Sequence, residues 1–461
     1  MADGPVIAVI GAGFTGSLTA VHLLRHGPAG AQIYLIEKTA GFGRGLAFGA
    51  HNSSHFLNAR AGNMSAFPDQ PDHLIRWLSA RPQLGPARAD AFITRGAYGD
   101  YLSGLLRAAI AGADGAERLV LVPDQATALT FDAAGAALTL AMGRTLRLDA
   151  AVLAVGNLPP LTPQGLGLER LSPRLFANDP WASETLNGID PQAEVLILGT
   201  GLTMVDIVLD LIERGHKGPI TALSRRGLGP KRHEQVGPVT PPTHSYGHRP
   251  LSRWVAERRA RAEQVGWRAA VDELRPITQA IWRAASPTER RRFLRHLRPW
   301  WDVVRHRMSQ TVADRIDALR DSGQLRIVGG RVVDIEARGP LALVRWRARG
   351  ETAARRLEVA RIINCTGSGA DLSRSDDPLL QSLIAQGAVR ADPLGLGLEI
   401  DYACQVLDVA GHTRRPLYAA GPITQGYSWE VIAVPDIRNQ VADLAAILTA
   451  RLGAPETAAA W

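Results

Sequence analysis

The chain has 461 residues, 46% hydrophobic and 21% charged, a globular composition long enough for two or three domains. A formal charge of +8 favours anionic ligands: nucleotides, small acids or nucleic acid. No apolar run approaches the roughly 20 residues that span a bilayer, and Cys365 and Cys404 lie too far apart for a CxxC pair, which excludes a membrane helix, a disulfide framework and a dithiol redox centre. The N-terminal MADGPVIAVIGAG passes from Met into a strand without a basic and apolar leader, so a cytoplasmic protein is expected.

The first motif, VIAVIGAGFTGSLTAVHLLRHG, reads as an apolar strand ending at Ile10, a glycine turn at Gly11, Gly13 and Gly16, and a helix. Gly11 suits the tight turn, Gly13 a close approach of backbone to a pyrophosphate, and Gly16 helix-to-strand packing. Phe14 and Thr15 open the helix whose N-terminus faces the phosphates. The next strand, AQIYLIEK, ends in Glu37 and Lys38, and the Glu37 carboxylate suits the hydroxyls of an unphosphorylated ribose, in FAD or NAD. His51 and His55 in HNSSH lie four apart, but the residues between them read as loop, and no metal is expected.

Three further segments resemble two-dinucleotide flavoproteins. LDAAVLAVGNLPP, with Gly156 in its turn, resembles the element that leaves the FAD domain, and RIINCTGSG its copy leaving the NAD(P)H domain. RRPLYAAGPITQG, with Gly421, and the helix beginning VPDIRNQ resemble the segment that returns to the flavin. Between them, AEVLILGTGLTMVDIVLDLIERG repeats strand, turn and helix, with Gly199, Gly201, Leu202 and Thr203 at the turn and Met204 where a third glycine is expected. The following strand ends in Ser224, Arg225 and Arg226 in place of an acid, a set that suits a 2′-phosphate and so NADPH, with NADH the lesser partner.

The expected fold is α/β: two Rossmann-like dinucleotide-binding domains, the second inserted in the first. The FAD domain is expected at 1–160 and 369–461, and the NAD(P)H domain at 161–368. Within the latter, an Arg- and Trp-rich helical insert is expected at about 235–322, broken at Pro276, Pro287 and Pro299. Its arginines admit three readings: a solvated helix face, the lining of a site for an anionic substrate (Arg295, Arg298, Arg305, Arg307), or a nucleic-acid surface without a known binding module.

GRGLAFGAHNSSHFLNARAGNMSAFPDQPDHLIRWL (43–78), RGAYGDYL (95–102), SRRGLGPKRH (224–233), RHLRPWWDVVRHRM (295–308) and GYSWEVIAVPDIRNQ (426–440), with the second turn, resemble the bacterial FAD/NAD(P)-binding proteins that include a flavin-dependent urate hydroxylase. That group is related to N-hydroxylating flavin monooxygenases. The resemblance implies a monooxygenase: NADPH reduces FAD, and dioxygen adds to form a flavin hydroperoxide. One oxygen atom then passes to a small, electron-rich, anionic substrate, urate first and a small amino acid such as aspartate as the alternative. It also implies Asn58 or Asn63 beside the oxygenated flavin, Arg44 on the FAD phosphates or nicotinamide ribose, Arg95 on FAD, and Trp429 with Glu430 facing the isoalloxazine. Ile437 and Arg438 fall at the helix N-terminus near reduced flavin, and His233 with Arg232 near substrate. An NADPH-dependent flavin reductase or oxidase, and a nucleotide-sensing or nucleic-acid-binding flavoprotein, remain alternatives. A homo-oligomer is compatible with all of them.

Overall fold

A computed structural model describes residues 4–39, 41–49, 52, 54–112, 114–133, 135–234 and 249–453. The chain forms two compact units, one of residues 1–53, 60–158 and 370–461, the other of 54–59 and 159–369. Among the described residues no helix is long and apolar enough to cross a membrane.

In the first unit, strands of three to seven residues form a mainly parallel sheet in the order Gln405–Leu407, Thr413–Ala419, Ala150–Leu153, Val6–Ile10, Gln32–Ile36 and Leu119–Val122. Ile7, Val9, Ile33, Leu35, Val152 and Leu153 are wholly or almost wholly buried, which is why these strands read as continuous apolar runs and not as an alternation. Ile10 pairs with Ile36 on one side and Leu153 on the other. The strand order therefore reverses beside Val6–Ile10, and at such a reversal α/β sheets receive ligands at the carboxyl ends of their strands. The helices Phe14–His26 and Val434–Leu452 pack together, with Thr449 Oγ1 donating to the His26 carbonyl at 2.8 Å. A separate three-stranded antiparallel sheet comprises Ala126–Asp132, Gly135–Leu140 and Thr145–Leu148.

His22 sits within this core, its ring edge-on to Phe67 at 5.8 Å, and its buried Nε2 has no hydrogen-bond partner among the described residues. Desolvation, then Arg25 and His26, brings its pKa down to about 4. The folded protein thus holds His22 neutral where the unfolded chain protonates it. The stability involved is complete above about pH 6.5 and is lost as pH falls toward 4, up to about 3 kcal/mol. His22→Leu should flatten the dependence of the thermal midpoint on pH between 6.5 and 4. A slope identical to that of the parent protein would refute this origin.

The second unit is built on a seven-stranded sheet in the order Ala354–Val359, Leu341–Ala348, Leu325–Arg338, Ile220–Ser224, Val195–Leu198, Arg361–Asn364 and Phe176–Ala177. Its inner strands are parallel, Leu198 pairing with both Leu223 and Asn364, whereas the last three toward Ala354–Val359 are antiparallel. The helical insert lies between Ile220–Ser224 and Leu325–Arg338 and contains Leu251–Asp272, Thr278–Ala284, Pro287–Arg292, Arg298–Arg305 and Gln310–Asp321. Pro287 begins a helix behind a Ser286–Glu289 capping box, but Pro299 does not break one. A π-helical segment, Phe293–Leu297, precedes it, and such a widened turn absorbs the clash between the proline ring and the carbonyl four residues earlier. The first part of the expected insert, 235–248, lies outside the described residues.

Candidate dinucleotide-binding turns

The two turns are built alike. Gly11 and Gly199 have φ of 101° and 111°, a region open to glycine, and each donates its N–H at 2.8 Å to the end of the neighbouring strand, Ile36 and Leu223 respectively. A Cβ on Gly11 would lie 2.5 Å from the Ala154 carbonyl oxygen, and one on Gly199 2.1 Å from that of Cys365. At the phosphate-facing positions the surroundings are open: a Cβ on Gly13 would meet only Gly45 Cα, at 3.6 Å, and one on Gly201 nothing within 4 Å.

They part at the third glycine. A Cβ on Gly16 would fall 1.8 Å from the Gly11 carbonyl oxygen, so the first turn closes directly on its helix. The second accommodates Met204, which is fully buried among Val195, Ile197, Val208 and Ala222. Its opening helical bond is correspondingly longer, 3.3 Å from Val205 N–H to the Gly201 carbonyl against 3.0 Å from Ser17 to Gly13.

Glu37 follows the strand Gln32–Ile36, and its Oε2 accepts the Ala12 N–H at 2.9 Å, which holds the carboxylate over the glycine loop. Its remaining lone pairs suit ribose hydroxyls. Gly421 returns to this site, since a Cβ there would lie 2.5 Å from Thr15 Oγ1. Its N–H donates at 2.7 Å to Gln440 Oε1, while Gln440 Nε2 donates to Thr424 Oγ1 at 3.0 Å. Gln440 thus pins the 421–424 loop, a role that no motif signals. The glycine loop, the helix N-terminus behind it and the Glu37 carboxylate fit the ADP half of FAD.

On the second turn the expected trio separates. Ser224 Oγ accepts the Gly227 N–H at 3.0 Å and lies 2.9 Å from Thr200 Oγ1, which itself donates to the Leu228 carbonyl. Ser224 Oγ is thus held inside the turn by Gly227 and Thr200. Arg226 Nη2 turns to the His296 carbonyl at 3.5 Å, and Arg225 alone is exposed.

Residues 8–158 match the family described as FAD-NAD(P)-binding. No curated protein sequence matches the chain. Among solved structures, an ornithine N-hydroxylase from Kutzneria sp. 744, with reduced FAD, NADP+ and L-ornithine, is 16% identical at a TM-score of 0.66, covering 97% of this chain and 99% of that one. The fold is the two-dinucleotide-domain architecture of flavin monooxygenases. An L-lysine 6-monooxygenase from Pseudomonas syringae shares this architecture at 18% identity and a TM-score of 0.64, over 97% of this chain and 99% of its own. So does a bacillithiol disulfide reductase from Bacillus cereus, at 14% and 0.56 over the same shares. The two-dinucleotide fold therefore serves oxygenation and reduction alike. None of these three is a urate hydroxylase, and two of them act on amino acids.

Several expected site residues have other duties within this fold. Arg307 is 2% exposed and grips Asp272 through Nη1 and Nη2 at 3.0 and 2.9 Å, which corrects its assignment to substrate. Arg298 pairs with Asp302 at 3.4 Å, Arg295 is exposed and Arg305 half-buried. Elsewhere in the insert Trp254 and Trp282 are buried, and Glu273 is clasped by Arg261 and Arg258, which hold its carboxyl below the usual range, Arg261 foremost. Arg232 is likewise taken, by Asp314 and Asp317.

Arg44 pairs with Asp100, and Arg95 opens the Thr94-capped helix Arg95–Ile110. Trp429 and Ile437 are 3% and 5% exposed, so each offers little surface to a ring. The Ile437 N–H is already bonded to the Ala433 carbonyl at 3.0 Å, and Arg438 Nη1 donates to the Ser65 carbonyl. Gly156 lies in a turn at φ 71°, and Lys38 is exposed, as is Asn63. Asn58 and His233 do meet: His233 Nε2 is 2.9 Å from the Asn58 carbonyl oxygen, which can only accept, so the imidazole proton sits on Nε2. His51 lies outside the described residues. His55 is buried against Asp210 at 3.0 Å, and among the described residues no group of three metal-ligating side chains occurs. Both cysteines are buried with thiols raised, Cys404 to about 12, as desolvation dictates.

Proposed function

We propose that this chain is an FAD-dependent, NADPH-consuming monooxygenase that N-hydroxylates the amine of a small amino acid. The observation that carries the proposal is the pairing of unlike dinucleotide turns, Glu37 after the first and Arg225 after the second. That pairing stands in a chain aligned end to end with an ornithine N-hydroxylase. Bound FAD supplies the acceptor of hydride and the means of activating dioxygen.

The chain's own residues bind and orient. Gly11 and Gly13 seat one pyrophosphate and Gly201 the other, Glu37 takes ribose hydroxyls, and the helix N-termini at Phe14 and Leu202 face the phosphates. His233, donating from Nε2 to the Asn58 carbonyl, fixes the loop that carries Asn58 and is a positioning residue. An excess of cationic side chains favours a substrate that carries a carboxylate, which an amino acid does and a simple diamine does not.

The proposal is tested by NADPH oxidation under air with amino acids, diamines and urate supplied singly, with hydroxylamine and hydrogen peroxide measured alongside. An amino acid should accelerate oxidation and yield a hydroxylamine. Acceleration by urate alone would return the reaction to ring hydroxylation. Peroxide formed in equal amount to NADPH consumed, whatever compound is present, would make the protein a reductase or oxidase.

A further inference from the structure

At the carboxyl end of Ile220–Ser224 lies a cavity of about 290 Å³ whose wall holds four arginines, Arg225, Arg331, Arg347 and Arg349, together with Gly330 and Glu351. Among the described residues none of the four guanidiniums has a carboxylate partner, whereas Arg258, Arg307, Arg326, Arg345 and Arg355 of the same unit each have one. Glu351 does not neutralise them, because Arg355 holds its two oxygens at 2.5 and 3.0 Å.

Sheet register explains the cluster. Ser224 pairs with Gly329, so Leu325–Arg338 runs on past the end of its neighbour and carries Arg331 beside Arg225. The antiparallel partner then sets Arg347 directly opposite Arg331, and Arg349, whose N–H donates to the Gly329 carbonyl at 2.9 Å, follows on the same face. Like charges directly opposed across a strand pair are destabilising unless an anion lies between them.

We infer that this cavity is the seat of the NADPH 2′-phosphate, formed by Arg225 with Arg331, Arg347 and Arg349 and not by the Ser224–Arg225–Arg226 turn. The inference rests on the reading that the second turn takes NADPH. It follows from where a Rossmann domain places the adenosine ribose, at the carboxyl end of its second strand, and from the commitments of Ser224 and Arg226 described above. Planar guanidiniums match a phosphate dianion in geometry as well as charge.

The test uses the flavin-loaded full chain and calorimetric titration with 2′,5′-ADP and 5′-ADP, at one fixed salt concentration. The parent protein should favour 2′,5′-ADP by roughly tenfold to a hundredfold. Arg331→Gln with Arg347→Gln should remove most of that preference while affinity for 5′-ADP falls far less. Since both positions are exposed and mutually repulsive, the variant's thermal midpoint should equal or exceed the parent's. A preference kept intact in this variant and lost in Arg226→Gln would overturn the inference and return the phosphate to the turn. Equal binding of the two nucleotides by the parent would also overturn it, leaving the dinucleotide turn standing. Binding of neither would overturn both, and single-stranded DNA bound through the same arginines without 2′,5′-ADP preference would identify a nucleic-acid surface instead.

Discussion

Asp272→Ala should destabilise the second unit by about 3 kcal/mol, because it leaves Arg307 as a buried cation without a counter-charge. Arg307 is 2% exposed, and besides Asp272 its guanidinium has, among the described residues, the Val304 carbonyl at 2.8 Å, the Arg268 carbonyl at 3.4 Å and the face of Trp267 at 5.2 Å. Carbonyls and a ring solvate a cation but do not neutralise it. Arg307→Met should cost less, since it removes the buried charge and leaves Asp272, 29% exposed, to be solvated by water. Urea unfolding gives both values. A loss below about 1 kcal/mol for Asp272→Ala would mean that the pair is incidental. The same two variants decide between support and substrate contact: a structural Arg307 changes the unfolding midpoint and leaves substrate KM alone at temperatures where the variant is folded.

Arg307 illustrates what a sequence conceals. Its neighbours in RHLRPWWDVVRHRM made it one arginine among several, and nothing in that stretch points to Asp272, 35 residues earlier. The dinucleotide turns were legible because their function is local: a strand end, a glycine at positive φ and a helix N-terminus occupy eight consecutive residues. Arg225 was legible for the same reason. Its partners in the cavity were not, since Arg331, Arg347 and Arg349 meet it only through the register of an antiparallel extension, and register is fixed by pairing and not by composition. Likewise 54–59 belongs with the second unit through His55 on Asp210, Ser54 on Arg315 and Asn58 on His233, contacts more than 150 residues apart in sequence. Pro299 misled in the opposite way, a local breaker overruled by a π turn.

Gly201→Ala should leave folding and flavin content intact while raising KM for NADPH and for NADH alike by tenfold or more. Among the described residues no neighbour demands glycine at this position: φ is −84° and ψ −165°, which any residue adopts, and an added Cβ finds no atom within 4 Å. Alanine there should even stabilise slightly, by restricting the unfolded chain. The penalty arises only when a pyrophosphate approaches the backbone, and that group is common to both nucleotides. Gly16→Val is the counter-case, because its Cβ would lie 1.8 Å from the Gly11 carbonyl oxygen and 3.3 Å from Ala154 Cβ whether or not a ligand is present. That variant should lose flavin and soluble yield together. The three sets of changes therefore separate by readout: Gly16 affects the first unit's folding, Gly201 both pyridine nucleotides, and Arg331 with Arg347 the phosphorylated one alone. Unaltered KM for both nucleotides in Gly201→Ala would show that the second turn is a packing device like the buried Met204 beside it, and the hydride donor would have to bind elsewhere.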